Sequence, residues 1–233
     1  MMSQIELSIA LPKGRLMDEV APALRAAGLN CPDSSELDRR LVYESRDAAG
    51  RRVRFIMVRP SDVAAYVEHG AADLGVTGKD VLLEGDWSVA ELLDLGFGRC
   101  RLAVAAPAAA AGGNTGTRTN GNGSAGAHVL RVATKFPNIA QRHFAGRRDV
   151  CTQIIKLGGA VEIAPITGLA DVIVDIVETG RTLRENGLEV VEEIAEVSAR
   201  LIANRASMQL KSEAIARICS ALAARGRAEV VSC

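Results

Sequence analysis

Short apolar runs alternate along this chain with stretches whose apolar residues recur every three or four positions. Ile5–Leu11, Arg52–Val58, Ala72–Thr77, Arg99–Ala106, Val129–Thr134, Ala160–Ala164 and Val172–Val177 have the length and composition of buried strands. Glu189–Asn204 alternates and reads as one long strand. Leu16–Ala27 has helical spacing and stops at Gly28; Asp62–His69 is a short helix capped by Ser61 and stopped by Gly70. Lys79–Glu84, Ile139–Phe144 and Ser207–Ala224 read as further helices, and Cys151–Leu157 as a continuation of the helical layer. Strand and helix in alternation predict an α/β fold with mainly parallel sheets.

One stretch breaks the pattern. Pro107–His128 is alanine-rich, then rich in Gly, Asn, Thr and Ser, without periodicity, and is expected to be a flexible low-complexity loop near a domain crossing. No internal sequence repeat stands out, but a strand-then-cation turn occurs at Leu11-Pro12-Lys13-Gly14-Arg15 and again at Ala133-Thr134-Lys135-Phe136-Pro137. That echo suggests two similar α/β lobes facing each other across a cleft.

Composition narrows the chemistry. The chain is 48% hydrophobic and has zero formal net charge, so a bulk polyanion such as DNA or an acidic membrane is not an expected partner. Aromatics make up only 3%, too few for base-stacking platforms. Five scattered cysteines without a C-x-x-C pair fit reduced thiols in a cytoplasm. The N-terminal run carries polar and acidic residues and does not read as a signal peptide, and no stretch approaches a membrane span.

The most informative segment is Val174–Leu183, VDIVETGRTL. An apolar strand carrying Asp175 runs into Glu178, then Thr179-Gly180-Arg181-Thr182, then a helix start. Glycine permits a tight turn with consecutive N–H groups aimed at one anion; the threonines add hydroxyl donors and the helix start adds dipole. Asp175 and Glu178 lie close enough upstream to grip sugar hydroxyls. Two acids followed by Thr-Gly-x-Thr resemble the phosphoribosyl-diphosphate (PRPP) loop of phosphoribosyltransferases. The bland alternative is an ordinary strand-to-helix turn.

Other constellations are cationic or glycine-rich. Lys13 and Arg15 flank Gly14 where the first helix opens, a phosphate or diphosphate site or else a solvated basic turn. Arg59, in VRPSDV, projects from a strand's carboxyl end, for a ligand or for a salt bridge with Asp62 or another nearby acid. In ADLGVTGKD, Gly75 and Gly78 permit close approach of a flat ligand, and Asp73 caps, pairs or binds. Lys135 is positioned to reach toward a diphosphate. Asp171 and Asp175 are four apart, so on a pure strand they share a face and together hold ribose hydroxyls and a metal, or form salt bridges. No nucleophile–base pair or triad is visible. Glycosyl transfer from PRPP needs none: the leaving group is good, and orientation, neutralisation and water exclusion suffice.

Taken together, ALPKGRL, VRPSDV, ADLGVTGKDVL, LGFGRCRLAVAAP, LRVATKFPNIAQRHF and GLADVIVDIVETGRTLRENGL resemble the ATP phosphoribosyltransferase family, in its short form without the C-terminal regulatory domain. The resemblance implies a two-lobed fold like type II periplasmic binding proteins with the active site in the cleft, lobe I being residues 1–103 plus 196–233 and lobe II residues 104–195. It implies transfer of phosphoribosyl from PRPP to N1 of the ATP adenine, the first step of histidine biosynthesis, with Mg²⁺ on the PRPP diphosphate. Carried over, Glu178, Thr179, Gly180, Arg181, Thr182 and Leu183 hold the 5′-phosphate with Asp171 and Asp175 near the ribose. Lys13, Arg15 and Arg59 are the catalytic cations, and Gly14, Asp73, Gly75 and Thr77 a weaker ATP-binding set. It also implies a regulatory subunit resembling a histidyl-tRNA synthetase and a homodimer inside a larger hetero-oligomer. The rivals are a non-enzymatic two-lobed small-anion binder, a phosphoribosyltransferase for another acceptor, and a regulated scaffold; the intact acidic and TGxT array speaks against the first and last.

Overall fold

The computed structural model of the 233-residue chain describes residues 6–33, 40–108, 129–147, 151–224 and 229–230. Most of the Pro107–His128 segment, read from the sequence as a flexible loop, lies outside the described residues.

Two units share the chain. Unit 1 takes Met1–Arg99 and Ser198–Cys233, unit 2 takes Cys100–Val197. Unit 1 begins with β1 (Leu7–Pro12), α1 (Met17–Ala26), β2 (Val42–Arg46), β3 (Arg52–Val58), α2 (Val63–Glu68), β4 (Leu74–Gly78), α3 (Lys79–Glu84) and β5 (Val89–Asp94). Unit 2 follows with β6 (Cys100–Pro107), β7 (Val129–Thr134), α4 (Pro137–Ala145), β8 (Cys151–Lys156), α5 (Ile163–Ile166), β9 (Val172–Val177), α6 (Arg181–Glu185) and β10 (Leu188–Val197). The chain then returns to unit 1 for β11 (Ala199–Asn204), α7 (Arg205–Leu210), α8 (Ser212–Ala223) and β12 (Glu229–Val230).

The sheet of unit 1 has the order β12-β5-β11-β4-β1-β3-β2, with β3, β1 and β4 parallel and β11 antiparallel to β4. That of unit 2 has the order β10-β6-β9-β7-β8, with β8, β7 and β9 parallel and β6 antiparallel to β9. The inner parallel strands β1, β4, β7 and β9 are largely apolar because both of their faces are covered. In unit 1, Met17, Val20 and Leu24 of α1 and Ile215, Ile218 and Leu222 of α8 cover one face. Each such buried side chain contributes roughly 1.5–3 kcal/mol. Val63, Ala64 and Val67 of α2 cover the other face. In unit 2, Ala140 and Phe144 of α4 pack on one face, and Ala164 of α5 with Leu183 of α6 on the other.

The two units repeat one plan, and a short sequence marks it. Gly70-Ala71-Ala72-Asp73 leads into β4 and Gly168-Leu169-Ala170-Asp171 into β9. Gly70 and Gly168 hold φ of 71° and 73°, the left-handed cap that ends α2 and α5. The Ala72 N–H donates to the Tyr66 carbonyl and the Ala170 N–H to the Ala164 carbonyl, the same step back in each.

Several sequence expectations need correction. Cys151–Leu157 contains strand β8, paired in parallel with β7, because CTQIIK has no helical apolar stripe and half-buries one face at a sheet edge. Ala160–Ala164 is no strand: Gly158 and Gly159 precede Ala160 at φ 49°, which turns the chain into α5. Glu189–Asn204 is two strands in two sheets, parted at Ser198. The Ser207–Ala224 helix is two helices, α7 and α8, broken at Lys211 with φ −129°. Ser61 does not cap α2; its hydroxyl donates to Asp62 Oδ1, and Pro60–Asp62 is a 3₁₀ turn. Strands β2 and β5 escaped notice because both are half-polar.

Candidate functional site

The carboxyl ends of the parallel strands, where ligands bind in open α/β sheets, carry the LPKGR and VRPSDV turns in unit 1 and the TGxT turn in unit 2. In unit 1, Pro12 of β1 pairs with Val58 of β3, and the Lys13 N–H donates to the Val58 carbonyl at 2.8 Å. This register sets Lys13 and Arg59 side by side at the edge. Both are exposed, and among the described residues neither forms an ion pair, so the salt-bridge reading of Arg59 finds no partner. Pro60 supports the arrangement: Arg59 is extended at φ −65°, ψ 146°, the conformation a following proline favours. Gly14 sits at φ 95° with open space around its α-carbon, and its carbonyl accepts the Met17 N–H as the chain winds into α1. Arg15 is exposed beside it. The edge thus presents Lys13, Arg15 and Arg59 around an accessible backbone turn.

In unit 2, β9 ends at Val177 and Glu178 and Thr179 emerge exposed. Gly180 holds φ 69°, ψ 9°, a left-handed conformation that makes the tight turn expected there. The Thr179 hydroxyl accepts the Arg181 N–H at 3.4 Å, and Leu183 is buried as the anchor of the turn. Helix α6 is only five residues long, so its dipole is slight, and an anion here depends on N–H groups, threonine hydroxyls and cations. Arg181 does not supply its charge freely: its guanidinium pairs with Glu185 at 2.7 Å. Arg184 was missed by the sequence reading. Its Nη1 would lie 3.2 Å from a β-carbon built on Gly180, so it folds back over the turn. The four-residue spacing from Gly180 was the available signal.

Asp175 shares a sheet face with Ile173 and Val177, on the side covered by α5 and α6. Burial pushes its carboxyl above the ordinary aspartate range; the Ile176 N–H and Lys135 pull the other way, and Glu162 adds to the rise. Lys135 follows β7, the strand between β8 and β9, and with Glu162 forms the charged surroundings of Asp175. Glu162, like Arg184, was not foreseen.

Four predicted residues belong to the scaffold instead. Asp171 precedes β9 at its amino end, the opposite end from the TGxT turn, and its carboxylate takes the Arg131 guanidinium in a two-point pair at 3.2 and 2.9 Å. Asp73 precedes β4 in the same way, buried, accepting from Ser8, Ser207 and Lys211. Burial raises its carboxyl, but those hydrogen bonds outweigh it and hold the group below the ordinary range. Gly75 makes room for α2: a β-carbon there would sit 2.7 Å from Val67 Cγ2 and 2.8 Å from Val63 Cγ1. Thr77 is fully buried and donates to the Pro60 carbonyl, which ties β4 to the Arg59 turn. Burial also lifts Asp80, whose Oδ1 would meet a β-carbon on Gly78 at 2.0 Å; that close approach explains the glycine.

A cavity of about 300 Å³ opens at the amino edge of unit 1 beside Gly28, Asp47, Arg51 and Arg217. Its charges satisfy one another, Arg51 with Asp47 and Glu6, Arg217 with Glu6.

A family model described as ATP phosphoribosyltransferase matches residues 59–224. An ATP phosphoribosyltransferase from Caldanaerobacter subterraneus subsp. tengcongensis is 49% identical over 209 residues, 90% of this chain and 92% of that one. Among solved structures, the ATP phosphoribosyl transferase (HisG:HisZ) complex from Thermotoga maritima matches with a TM-score of 0.74 and 35% identity, covering 93% of this chain and 96% of that chain. The alkanesulfonate-binding protein SsuA from Xanthomonas axonopodis pv. citri matches with a TM-score of 0.51 at 12% identity, covering 95% and 73%, a likeness of fold alone. Among the described residues, no helix is long and apolar enough to cross a membrane.

Proposed function

We infer the reaction from one premise: this chain belongs to the ATP phosphoribosyltransferase family. It transfers the phosphoribosyl group of PRPP to N1 of the ATP adenine, releasing diphosphate, as the first step of histidine biosynthesis in the cytoplasm. The observation that carries the reading in this chain is the Thr179-Gly180-Arg181-Thr182 turn at the carboxyl end of β9, left-handed at Gly180 and with Asp175 on the strand that feeds it.

The residues divide the work. The turn holds the 5′-phosphate through backbone N–H groups and the Thr179 and Thr182 hydroxyls, while Leu183 fixes its position. Asp175 and Glu178 take ribose hydroxyls, which orients the anomeric carbon. The raised carboxyl of Asp175 suits a group that exchanges a proton with a hydroxyl or is neutralised by a bound cation. Lys13, Arg15 and Arg59, with Gly14 opening the turn, form a basic group at the unit 1 edge suited to neutralising a diphosphate or a triphosphate. Mg²⁺ favours hard oxygen donors and is bound by one or two carboxylates plus substrate phosphates, a description Asp175 and Glu178 fit. When bound with PRPP it supplies charge to the diphosphate. A regulatory subunit of the HisZ kind is the expected partner, on the strength of the Thermotoga complex.

The test is ultraviolet absorbance of the chain mixed with ATP, PRPP and Mg²⁺, with pyrophosphatase to draw the reaction forward, with and without a HisZ-type subunit. Phosphoribosyl-ATP formation is the expected result. Bound PRPP without product in either mixture would point to another acceptor.

A further inference from the structure

We propose that Arg184, and not Arg181, is the side-chain cation that meets the 5′-phosphate in the TGxT turn. The inference rests on the reading of that turn as the PRPP phosphate loop and adds a residue to it.

The argument begins with helix geometry. Side chains on a helix lean toward its N-terminus, so a residue covers the one four positions earlier. Two such pairs exist at this turn. Glu185 leans back onto Arg181 and pairs with it, Nε to Oε1 at 2.7 Å, with both side chains largely solvated. Arg184 leans back onto Gly180; its N–H donates to the Gly180 carbonyl at 3.1 Å, and its Nη1 comes within 3.2 Å of the space a β-carbon would fill. The glycine therefore does two things at once. It adopts φ 69°, and it leaves bare the surface on which the guanidinium rests.

The charge count points the same way. Arg181 already has a carboxylate, and drawing it to a phosphate means breaking that pair. Arg184 is exposed and, among the described residues, forms no ion pair. A planar guanidinium held over a turn is suited to bidentate contact with a phosphate dianion. Arg184 then touches substrate, selects a phosphorylated ribose over an unphosphorylated one, and acts on binding of the sugar phosphate, with no effect on the acceptor.

The experiment measures ribose 5-phosphate affinity by calorimetry on the full chain, together with KM for PRPP and for ATP, in Arg184→Gln, Arg184→Lys, Arg181→Gln and Gly180→Val. Thermal melts confirm folding of each. Arg184→Gln is expected to weaken ribose 5-phosphate binding and raise the KM for PRPP by about ten- to hundredfold, the range for a hydrogen bond to a charged group, with the KM for ATP unmoved. Arg184→Lys restores part of the loss, and Arg181→Gln loses at least tenfold less than Arg184→Gln. An equal or larger loss in Arg181→Gln overturns the assignment, as does wild-type affinity in Arg184→Gln while Gly180→Val loses binding. If Gly180→Val also keeps wild-type ribose 5-phosphate affinity, the phosphate-loop reading falls, and this inference falls with it.

Discussion

Asp73 and Asp171 make the same two hydrogen bonds to the backbone of a neighbouring strand in the two units. The Ser8 N–H donates to Asp73 Oδ2 at 2.8 Å while the Asp73 N–H donates to the Ser8 carbonyl at 2.9 Å. The Arg131 N–H donates to Asp171 Oδ2 at 2.9 Å while the Asp171 N–H donates to the Arg131 carbonyl at 2.9 Å. Each aspartate thereby locks the strand it precedes to the first parallel strand of its sheet. The prediction is structural. Asp73→Ala leaves Ser207 and Lys211 without their acceptor and lowers stability by roughly 2–3 kcal/mol, with the KM for PRPP unchanged in the surviving folded fraction. Asp171→Ala costs less, because Arg131 is partly solvated. Urea melts with parallel kinetics check both; a specific loss of ATP or PRPP affinity without loss of stability would return these residues to the site.

Asp175 should set function against stability. Its folded pKa lies above the unfolded value of about 3.9, so the stability it supports is complete below that value and is lost as pH rises through the raised one. Asp175→Asn removes this loss. The variant should melt higher than wild type at neutral pH, the gap should close as pH falls toward 4, and turnover should drop steeply. A gap that does not change with pH would mean that the carboxyl is ionised at no cost in the fold.

Lys13→Ala and Arg59→Ala test the unit 1 edge. Neither side chain holds a carboxylate among the described residues, so stability should change by less than about 0.5 kcal/mol. Loss of a charge-assisted phosphate contact should lower kcat/KM by roughly ten- to hundredfold for each. Wild-type kcat/KM in either variant removes that residue from the reaction.

Gly75 and Gly180 are both required glycines, for different reasons. Gly75→Ala drives a β-carbon into Val63 and Val67 inside the core and should cost roughly 1–3 kcal/mol with little effect on substrate affinity. Gly180→Ala crowds the movable tip of Arg184 and meets Val177 at ordinary contact distance, so its main cost is the left-handed backbone, about 1–2 kcal/mol, and its main effect should be weaker PRPP binding. Paired melts and PRPP titrations distinguish the two; reversed phenotypes would exchange the roles given to these glycines.

The sequence showed the inner parallel strands well, because strands covered on both faces read as apolar runs, and it missed β8 at the sheet edge. It showed the TGxT turn because glycine and threonine at that spacing constrain both conformation and chemistry. It failed where position along a strand decides a role. Asp171 and Asp175 looked like one pair, but one precedes β9 at the amino end and the other lies within it, near the carboxyl end. Asp73 and Thr77 looked accessible in a glycine-rich segment, and tertiary partners at Ser8, Ser207, Lys211 and Pro60 consumed them. Arg184 was passed over because only its four-residue spacing from Gly180 hinted at a side chain folding over the turn.

The placement of β11 between β4 and β5 governs the order in which the two sheets can be completed during synthesis. Unit 2 is one uninterrupted segment and has all its strands once Val197 has left the ribosome. Unit 1 does not: β5 joins its sheet only through β11, which is synthesised after the whole of unit 2. During synthesis the first half of unit 1 waits with the free side of β4 unpaired, open to mispairing and to chaperones, until the segment from Ser198 onward closes the gap. A nonsense mutation late in the gene thus removes the interior of the first unit and leaves the second intact.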